Sequence, residues 1–234
     1  MLPDFEICCD SFKNYNLELS EELYRKLDIY ADFLVEYNQN VNLTALTQPH
    51  DILYKHFIDS ILLALHVDIK ENSRIIDVGT GAGFPSVPIK LFRPDVKITL
   101  LDSLNKRIVF LQKLCENLEI DAEFVHGRAE DISKNAEYRE KFDISCARAV
   151  ANMSLLSELC IPFVKIGGIF TAMKGPTEDI MLGSNAVDIL GGTIESIKDY
   201  AIEDEGRKVV VVRKISQTPT KYPRNSSQIK KKNL

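Results

Sequence analysis

The stretch Ile75-Ile76-Asp77-Val78-Gly79-Thr80-Gly81-Ala82-Gly83-Phe84-Pro85 constrains the fold more than any other part of this chain. An apolar run of strand length meets a turn of alternating glycines, and a helix-compatible sequence follows. Glycines there let the backbone take positive φ and approach a ligand closely. In an open α/β sheet, ligands sit outside the carboxyl ends of the strands, where such a turn lies. The same rhythm continues downstream. Apolar runs at Arg74–Val78, Lys97–Leu101, Ala122–His126, Phe142–Ala147, Gly168–Met173, Thr193–Ala201 and Lys208–Arg213 alternate with helical segments at Pro85–Phe92, Leu104–Leu118, Ala151–Lys165 and Pro176–Leu190. This alternation predicts an α/β, Rossmann-like, doubly wound and mostly parallel sheet covered on both faces. The last two runs follow each other through a short turn at Glu203–Gly206, so they are expected to form an antiparallel hairpin at the sheet edge.

The sequence before this core has a different period. Leu23, Leu27, Tyr30, Leu34, Tyr37 and Val41 fall at helical spacing, with Ser20 as N-cap and Glu21 and Glu22 in the first turn. A second helix is expected from Pro49 to His66. The organisation is therefore an N-terminal helical extension (1–70), a core (71–217) and a basic arm (218–234). The arm carries neither apolar period nor recognisable core residues and is expected to be mobile.

Charge narrows the partners. The chain has 29 basic and 34 acidic residues, net −5, which excludes a protein basic over its whole surface. Nine of the basic residues and none of the acids lie between Arg207 and Leu234, a net of +9 against −14 for the rest. A basic end on an acidic body suits a local polyanion contact; a solvated tail is the other reading. The acidic start, MLPDFEICCDSF, does not resemble a secretory signal, and apolar runs such as Phe163–Met173 are too short for a bilayer span. Cys8, Cys9, Cys115, Cys146 and Cys160 show no metal-ligand spacing. Reduced thiols, a cytoplasmic location and no metal are expected.

Two ligand classes compete for the glycine turn. A dinucleotide fingerprint needs a third glycine where Phe84 stands. The spacing Gly79, Gly81, Gly83 after Asp77 instead resembles motif I of Rossmann-like S-adenosylmethionine-dependent methyltransferases. Asp102, 19 positions after Gly83, closes the second strand, where a carboxylate can accept both ribose hydroxyls. Ser103 is read as the cap of the following helix. After the third strand, Glu130 and Asp131 suit either adenine binding or the first turn of a helix. After the fourth, Ser145-Cys146-Ala147-Arg148 carries neither the run that orients an exocyclic amine nor a Pro-Cys nucleophile turn. Cys146 reads as a buried, inert thiol.

Several further blocks occur together: Asn40-Val41-Asn42-Leu43-Thr44-Ala45, His56-Phe57-Ile58-Asp59-Ser60, Gly127-Arg128-Ala129-Glu130, Ala147-Arg148-Ala149, Lys174-Gly175 and Lys221-Tyr222-Pro223-Arg224. With the glycine turn, they resemble in order the bacterial small-subunit ribosomal RNA guanine-N7 methyltransferases, also called glucose-inhibited division protein B. The resemblance implies S-adenosylmethionine as cofactor, 16S ribosomal RNA or the small subunit as partner, and N7 of a guanine near position 527 as methyl acceptor. It also implies cofactor contacts at Gly79, Phe84, Asp102, Ser103, Ala129, Glu130 and Arg148, to which the motif adds Gly81 and Gly83. Beyond Arg224 the family continues with glycine and prolines, whereas this chain has Asn225-Ser226-Ser227-Gln228.

Guanine N7 carries an in-plane lone pair, so attack on the sulfonium methyl needs alignment rather than a general base. No catalytic residue is assigned. Arg148 is expected against the cofactor's carboxylate or as a backbone organiser, because a guanidinium on the methylated ring would oppose its developing charge. His56 and Asp59 share a helical face and read as packing residues or as organisers of the site. Asn42 and Thr44 are read as turn and cap residues closing the first helix. RNA phosphates are expected at Arg207, Lys208, Arg213, Lys214, Lys221, Arg224, Lys230, Lys231 and Lys232, with Tyr222 stacked on a base. A monomer is expected. The rival readings are a methyltransferase of a small molecule or protein, and a non-catalytic ribosome-binding protein of the same fold.

Overall fold

A computed structural model describes residues 1–148 and 151–234; Ala149 and Val150, part of one of the resembling blocks, lie outside the described residues. The chain runs through α1 (Phe5–Lys13), α2 (Glu21–Asn38), α3 (Pro49–Asp51), a π-helical stretch (Ile52–Ile58), α4 (Asp59–His66), β1 (Arg74–Val78), α5 (Ser86–Phe92), β2 (Lys97–Asp102), α6 (Asn105–Asn117), β3 (Glu123–His126), α7 (Ala129–Ile132), β4 (Phe142–Arg148), α8 (Met153–Cys160), β5 (Val164–Lys174), α9 (Ser184–Ile189), β6 (Gly192–Ile202), β7 (Glu205–Lys214) and α10 (Ser226–Lys231).

The strands form one sheet in the order β3-β2-β1-β4-β5-β7-β6. The first five are parallel, and β7 runs antiparallel to both β5 and β6. The expected edge hairpin is thus present, with β7 inserted between β5 and the outermost strand β6. The chain order reverses at β1: successive crossovers run outward from β1 to β2 and β3, and the next returns to place β4 on the other side of β1. This is the switch point at which open α/β sheets bind ligands. β1 is buried along Ile75–Val78, as expected of a strand covered on both faces.

Two cores cover the two faces. One joins α1, α2, α4, α5 and α6 to the sheet through Phe12, Leu27, Tyr30, Phe57, Val87, Phe110 and Leu111. The other joins α8, α9 and the C-terminal segment through Leu156, Phe163, Phe170, Val187, Val212 and Tyr222. The N-terminal helices share the first core with the sheet. Ser20 caps α2, its side chain accepting from Leu23 N at 3.1 Å. Ser103 does not cap α6. Asp102 Oδ1 takes the Leu104 N–H at 2.9 Å instead, so the strand-ending carboxylate itself closes the turn. The helix expected from Pro176 is shorter than its pattern: a loop leads to a 3₁₀ turn at Ile180–Gly183, then to α9.

The tail departs most from expectation. Residues 218–234 are docked on the second core: Thr218, Tyr222 and Ile229 are buried. Arg139 donates to the carbonyls of Thr218 at 2.8 Å and Tyr222 at 3.0 Å. Arg224 pairs with the buried Glu158, Nη2 to Oε2 at 2.7 Å. Asn225 begins α10 with a reciprocal capping box to Gln228. The segment leaves Lys214 at the amino edge of the parallel strands and reaches Glu130, after β3, through Ser226. Its last residue accepts from Ser154, in the first turn of α8. It therefore climbs to the carboxyl edge, carrying Lys230–Lys232 there.

Candidate functional site

The glycine turn opens a cleft of about 440 Å³ at the carboxyl ends of β1 and β2, lined by Gly79, Thr80, Gly81, Phe84, Asp102 and Arg148 among others. Gly79 and Gly81 have φ of 73° and 61°, where a side chain is strained. A Cβ built on Gly81 meets no atom nearer than Gly79 O at 4.0 Å; it would project into open space. Gly83 is different. Its Cβ would lie 2.8 Å from the Tyr30 hydroxyl and from Val87, so this glycine admits close packing of α2 on the turn. Gly83 belongs to the packing beneath the cleft and does not border it.

Asp102 is buried, and its Oδ2 holds Gly81 N at 3.0 Å and Arg107 Nη1 at 3.2 Å. Its Oδ1 accepts one hydrogen bond, leaving acceptor capacity where the cleft begins. Ser103 also lines the cleft, whereas Ala129 and Glu130 do not. Glu130 is buried and turned to Arg128, 2.6 Å away, and to Ser226, serving the first turn of α7 and the tail. A glycine wall that a Cβ would fill, a buried carboxylate at the strand end and a cavity of small-molecule size fit the S-adenosylmethionine that the resemblance implies. Among the described residues there is no cluster of His, Cys, Asp or Glu able to hold a metal.

Phe84 is the centre of a stack. Tyr30 lies parallel to it at 5.2 Å, His56 at 4.3 Å, and the Arg148 guanidinium sits 4.8 Å above its ring. Arg148 Nη1 donates to Lys55 O at 3.0 Å and to Asp59 Oδ2 at 3.3 Å, and Nη2 to His56 Nδ1 at 3.2 Å. Arginine only donates, so His56 Nδ1 is the acceptor and Nε2 carries the proton, donated to Thr44 Oγ1 at 3.0 Å. Burial and the neighbouring guanidinium lower the His56 pKa to about 3, so the ring is neutral at physiological pH. Asp59 also accepts from Tyr200 OH at 2.7 Å. These contacts make Arg148 an organiser that ties β4 to the helix carrying Lys55, His56 and Asp59. That helix has π geometry here, a local irregularity frequent at functional sites. Thr44 is held by Asn38, whose Oδ1 accepts from both Leu43 N and Thr44 N. Cys146 is buried, its thiol pushed well up by burial, as suits an inert packing group.

A second cavity, of about 720 Å³, lies across this stack. Its lining shares His56 and Arg148 with the cleft and adds Lys55, Asp59, Lys174, Glu178, Glu205 and Arg207. His56, Asp59 and Thr44 were read in the sequence as packing, organising or capping residues, and the structure brings all three to the site. Arg107 had no signal beyond its helical position.

The expected RNA residues divide. Arg207 lines the second cavity, and Lys208 is beside it, paired with Asp199 at 2.9 Å. Arg213 is six residues further along β7, roughly 20 Å away at the opposite sheet edge, where it pairs with Glu195 at 2.6 Å. Lys214 is 1% exposed, its ammonium enclosed by Leu190 O at 3.1 Å, Thr218 and Glu140 at 3.3 Å. It cannot meet a phosphate. Tyr222 is buried against the second core, so it does not present a face for stacking. Arg224 is committed to Glu158. Lys221 and Lys230–Lys232 are exposed.

A family model, rRNA small subunit methyltransferase G, matches residues 23–208, most of the chain. The chain belongs to this family. It is 46% identical over 233 residues to the ribosomal RNA small subunit methyltransferase G of Clostridium kluyveri, covering 98% of both chains. It is 44% identical to the enzyme of that name from Clostridium novyi, covering 98% of this chain and 97% of the other. Among solved structures, a SAM-dependent O-methyltransferase of Thermotoga maritima shares the fold, with a TM-score of 0.53, 16% identity, and coverage of 80% of this chain and 72% of that one. TYW2 of M. jannaschii, in complex with AdoMet, does so at a TM-score of 0.51 and 12% identity, covering 66% of this chain and 74% of that one. The glycine cleft occupies the switch point of that fold, and His56 and Arg148 border both the cleft and the second cavity.

Proposed function

We propose that the chain transfers the methyl group of S-adenosylmethionine to N7 of a guanine near position 527 of 16S ribosomal RNA. One observation carries the reading: two cavities of small-molecule size meet at a single wall, His56 and Arg148. The glycine cleft takes the cofactor, whose sulfonium supplies an electrophilic methyl group. The cavity beyond takes the flipped base. Gly79 and Gly81 let the backbone border the cofactor, and Asp102 accepts its ribose hydroxyls.

No residue of the site needs to remove a proton. His56 is neutral, with its Nδ1 lone pair already used by Arg148 and its proton given to Thr44. Those bonds fix the ring against Phe84, so the wall keeps its shape while the base and methyl group align. Arg148 is partly neutralised by Asp59, which limits its opposition to the positive charge that N7 methylation creates.

The RNA strand approaches over the carboxyl edge, where Arg207, Lys208 and Lys230–Lys232 lie. The reading places the enzyme in the cytoplasm as a monomer. Its five free cysteines suit a reducing compartment, and no helix among the described residues is long and apolar enough to cross a membrane. Incubation with labelled S-adenosylmethionine and small ribosomal subunits or naked 16S rRNA, followed by mapping of the label, tests the proposal. Label on N7 of one guanine is expected; label on an exocyclic amine or a pyrimidine refutes it.

A further inference from the structure

The second cavity contains more charge than a methyl transfer to a neutral lone pair requires. Three carboxylates line it, each with its own partner. Asp59 takes Tyr200 OH at 2.7 Å and Arg148 at 3.3 Å. Glu205 pairs with Lys55 at 2.8 Å and Arg207 at 2.6 Å. Glu178 pairs with Lys174, Oε1 to Nζ at 3.0 Å. The pair lines the cavity, so its donors and acceptors are available to a ligand there.

Lys174 is the other half of the feature. Its side chain is 3% exposed, and its ammonium donates to Ala151 O and borders the cavity. An ammonium has three donors, so further capacity is present beside the carboxylate. Lys174 closes β5 and Glu178 follows in the next loop, whereas the glycine turn follows β1, with β4 between. The pair therefore lies on the side of the cavity away from the cofactor cleft, beyond the His56–Arg148 wall.

We infer that Lys174 and Glu178 determine base specificity by reading the Watson–Crick edge of guanine; this rests on the guanine-N7 reading above. A guanine that turns N7 to the cofactor cleft turns its N1–H and exocyclic amine away from it. That edge presents an acceptor, O6, followed by two donors. An ammonium beside a carboxylate is its complement: Lys174 donates to O6, and Glu178 accepts from N1–H and the exocyclic amine. Adenine presents a donor and then a lone pair at the same places. It would set its amine against the ammonium and its N1 lone pair against the carboxylate, two mismatched contacts in place of three matched ones.

The test compares two substrates and two enzymes. Small subunits are reconstituted with 16S rRNA carrying either guanosine or inosine at the mapped target. Inosine keeps N7, O6 and N1–H and lacks only the exocyclic amine. Wild-type enzyme should prefer guanosine by about tenfold or more in kcat/KM, the loss of one hydrogen bond to a charged group. In Glu178→Ala that preference should collapse towards unity, with S-adenosylmethionine affinity unchanged. Glu178 is partly exposed in a loop, so the variant should fold, and cofactor binding checks that it has. A Glu178→Ala enzyme that keeps the wild-type guanosine-to-inosine ratio overturns the inference, whether its rate falls equally on both substrates or not at all. A wild-type enzyme that leaves N7 of the target guanosine unlabelled overturns the guanine-N7 reading itself, and the inference with it.

Discussion

Gly81 and Asp77 show how single residues set the chemistry of the turn. Gly81 combines a positive φ with open space where a side chain would begin. In Gly81→Asp, the new carboxylate would enter the cleft beside Asp102, and the left-handed backbone would add strain of about 1–2 kcal/mol. S-adenosylmethionine affinity should fall about 100-fold or more, against a much smaller loss of folding stability. Calorimetric titration reads the first and urea denaturation the second; an unchanged Kd would remove the turn from cofactor binding. Asp77 lies beneath, with Oδ2 taking Thr80 Oγ1 at 3.0 Å and Ser86 N at 3.2 Å, and Oδ1 without a partner among the described residues. Burial raises its pKa to about 7. A carboxyl whose folded pKa lies above its unfolded value of 3.8 stabilises the fold fully below that value, and the contribution is lost as pH rises through about 7. The Tm difference between wild type and Asp77→Asn should therefore shift against wild type from about pH 4 to pH 7 and stay flat beyond. A constant difference across that window would show that Asp77 does not titrate there.

At the scale of elements, legibility followed the source of each element's stability. The strands and the helices beside them are held by apolar burial, which leaves a period in the sequence, and all seven strand candidates formed. The tail is held by the Arg224–Glu158 pair, by Arg139 donors to its carbonyls and by a few isolated buried side chains such as Tyr222 and Ile229. Those contacts leave no period, and so a docked segment read as a mobile one. The charges of the basic end misled for the same reason: Lys214 and Arg224 count as basic in composition, yet one is enclosed and the other is bound to Glu158. The site was legible where backbone geometry demands glycine, at Gly79 and Gly81. It was not where His56, Asp59 and Thr44 act, because a side chain that positions another is indistinguishable from a packing residue until its partners are known. Arg224→Ala makes the distinction measurable. It leaves the Glu158 carboxylate, 1% exposed, without its cationic partner and with only the backbone N–H of residue 224, and should cost about 3 kcal/mol of stability. Urea denaturation reads that cost, and a loss under about 1 kcal/mol would mean that solvent reaches Glu158.

For the whole molecule, net charge conceals an arrangement. The acidic body is folded around a site whose edge is basic, and the tail's docking gives that edge three of its charges. Because Thr218–Leu234 is part of the second core, deleting it would expose apolar surface and strand Glu158 and Glu130; loss of RNA binding after truncation would not separate charge from folding. Neutralising Lys230, Lys231 and Lys232 together makes that separation. All three are exposed, and Ile229, which anchors α10, is untouched. If each contacts a phosphate, the slope of log affinity for rRNA against log salt should become shallower by about 2. Stability and S-adenosylmethionine affinity should stay at the wild-type level, since no charge in the cofactor cleft changes. Neutralising Arg213, paired with Glu195 at the opposite sheet edge, should leave the salt slope unchanged. Equal effects of the two replacements would place the RNA along the whole length of β7 rather than over the carboxyl edge, and would remove the tail's docking from the account of how substrate reaches the second cavity.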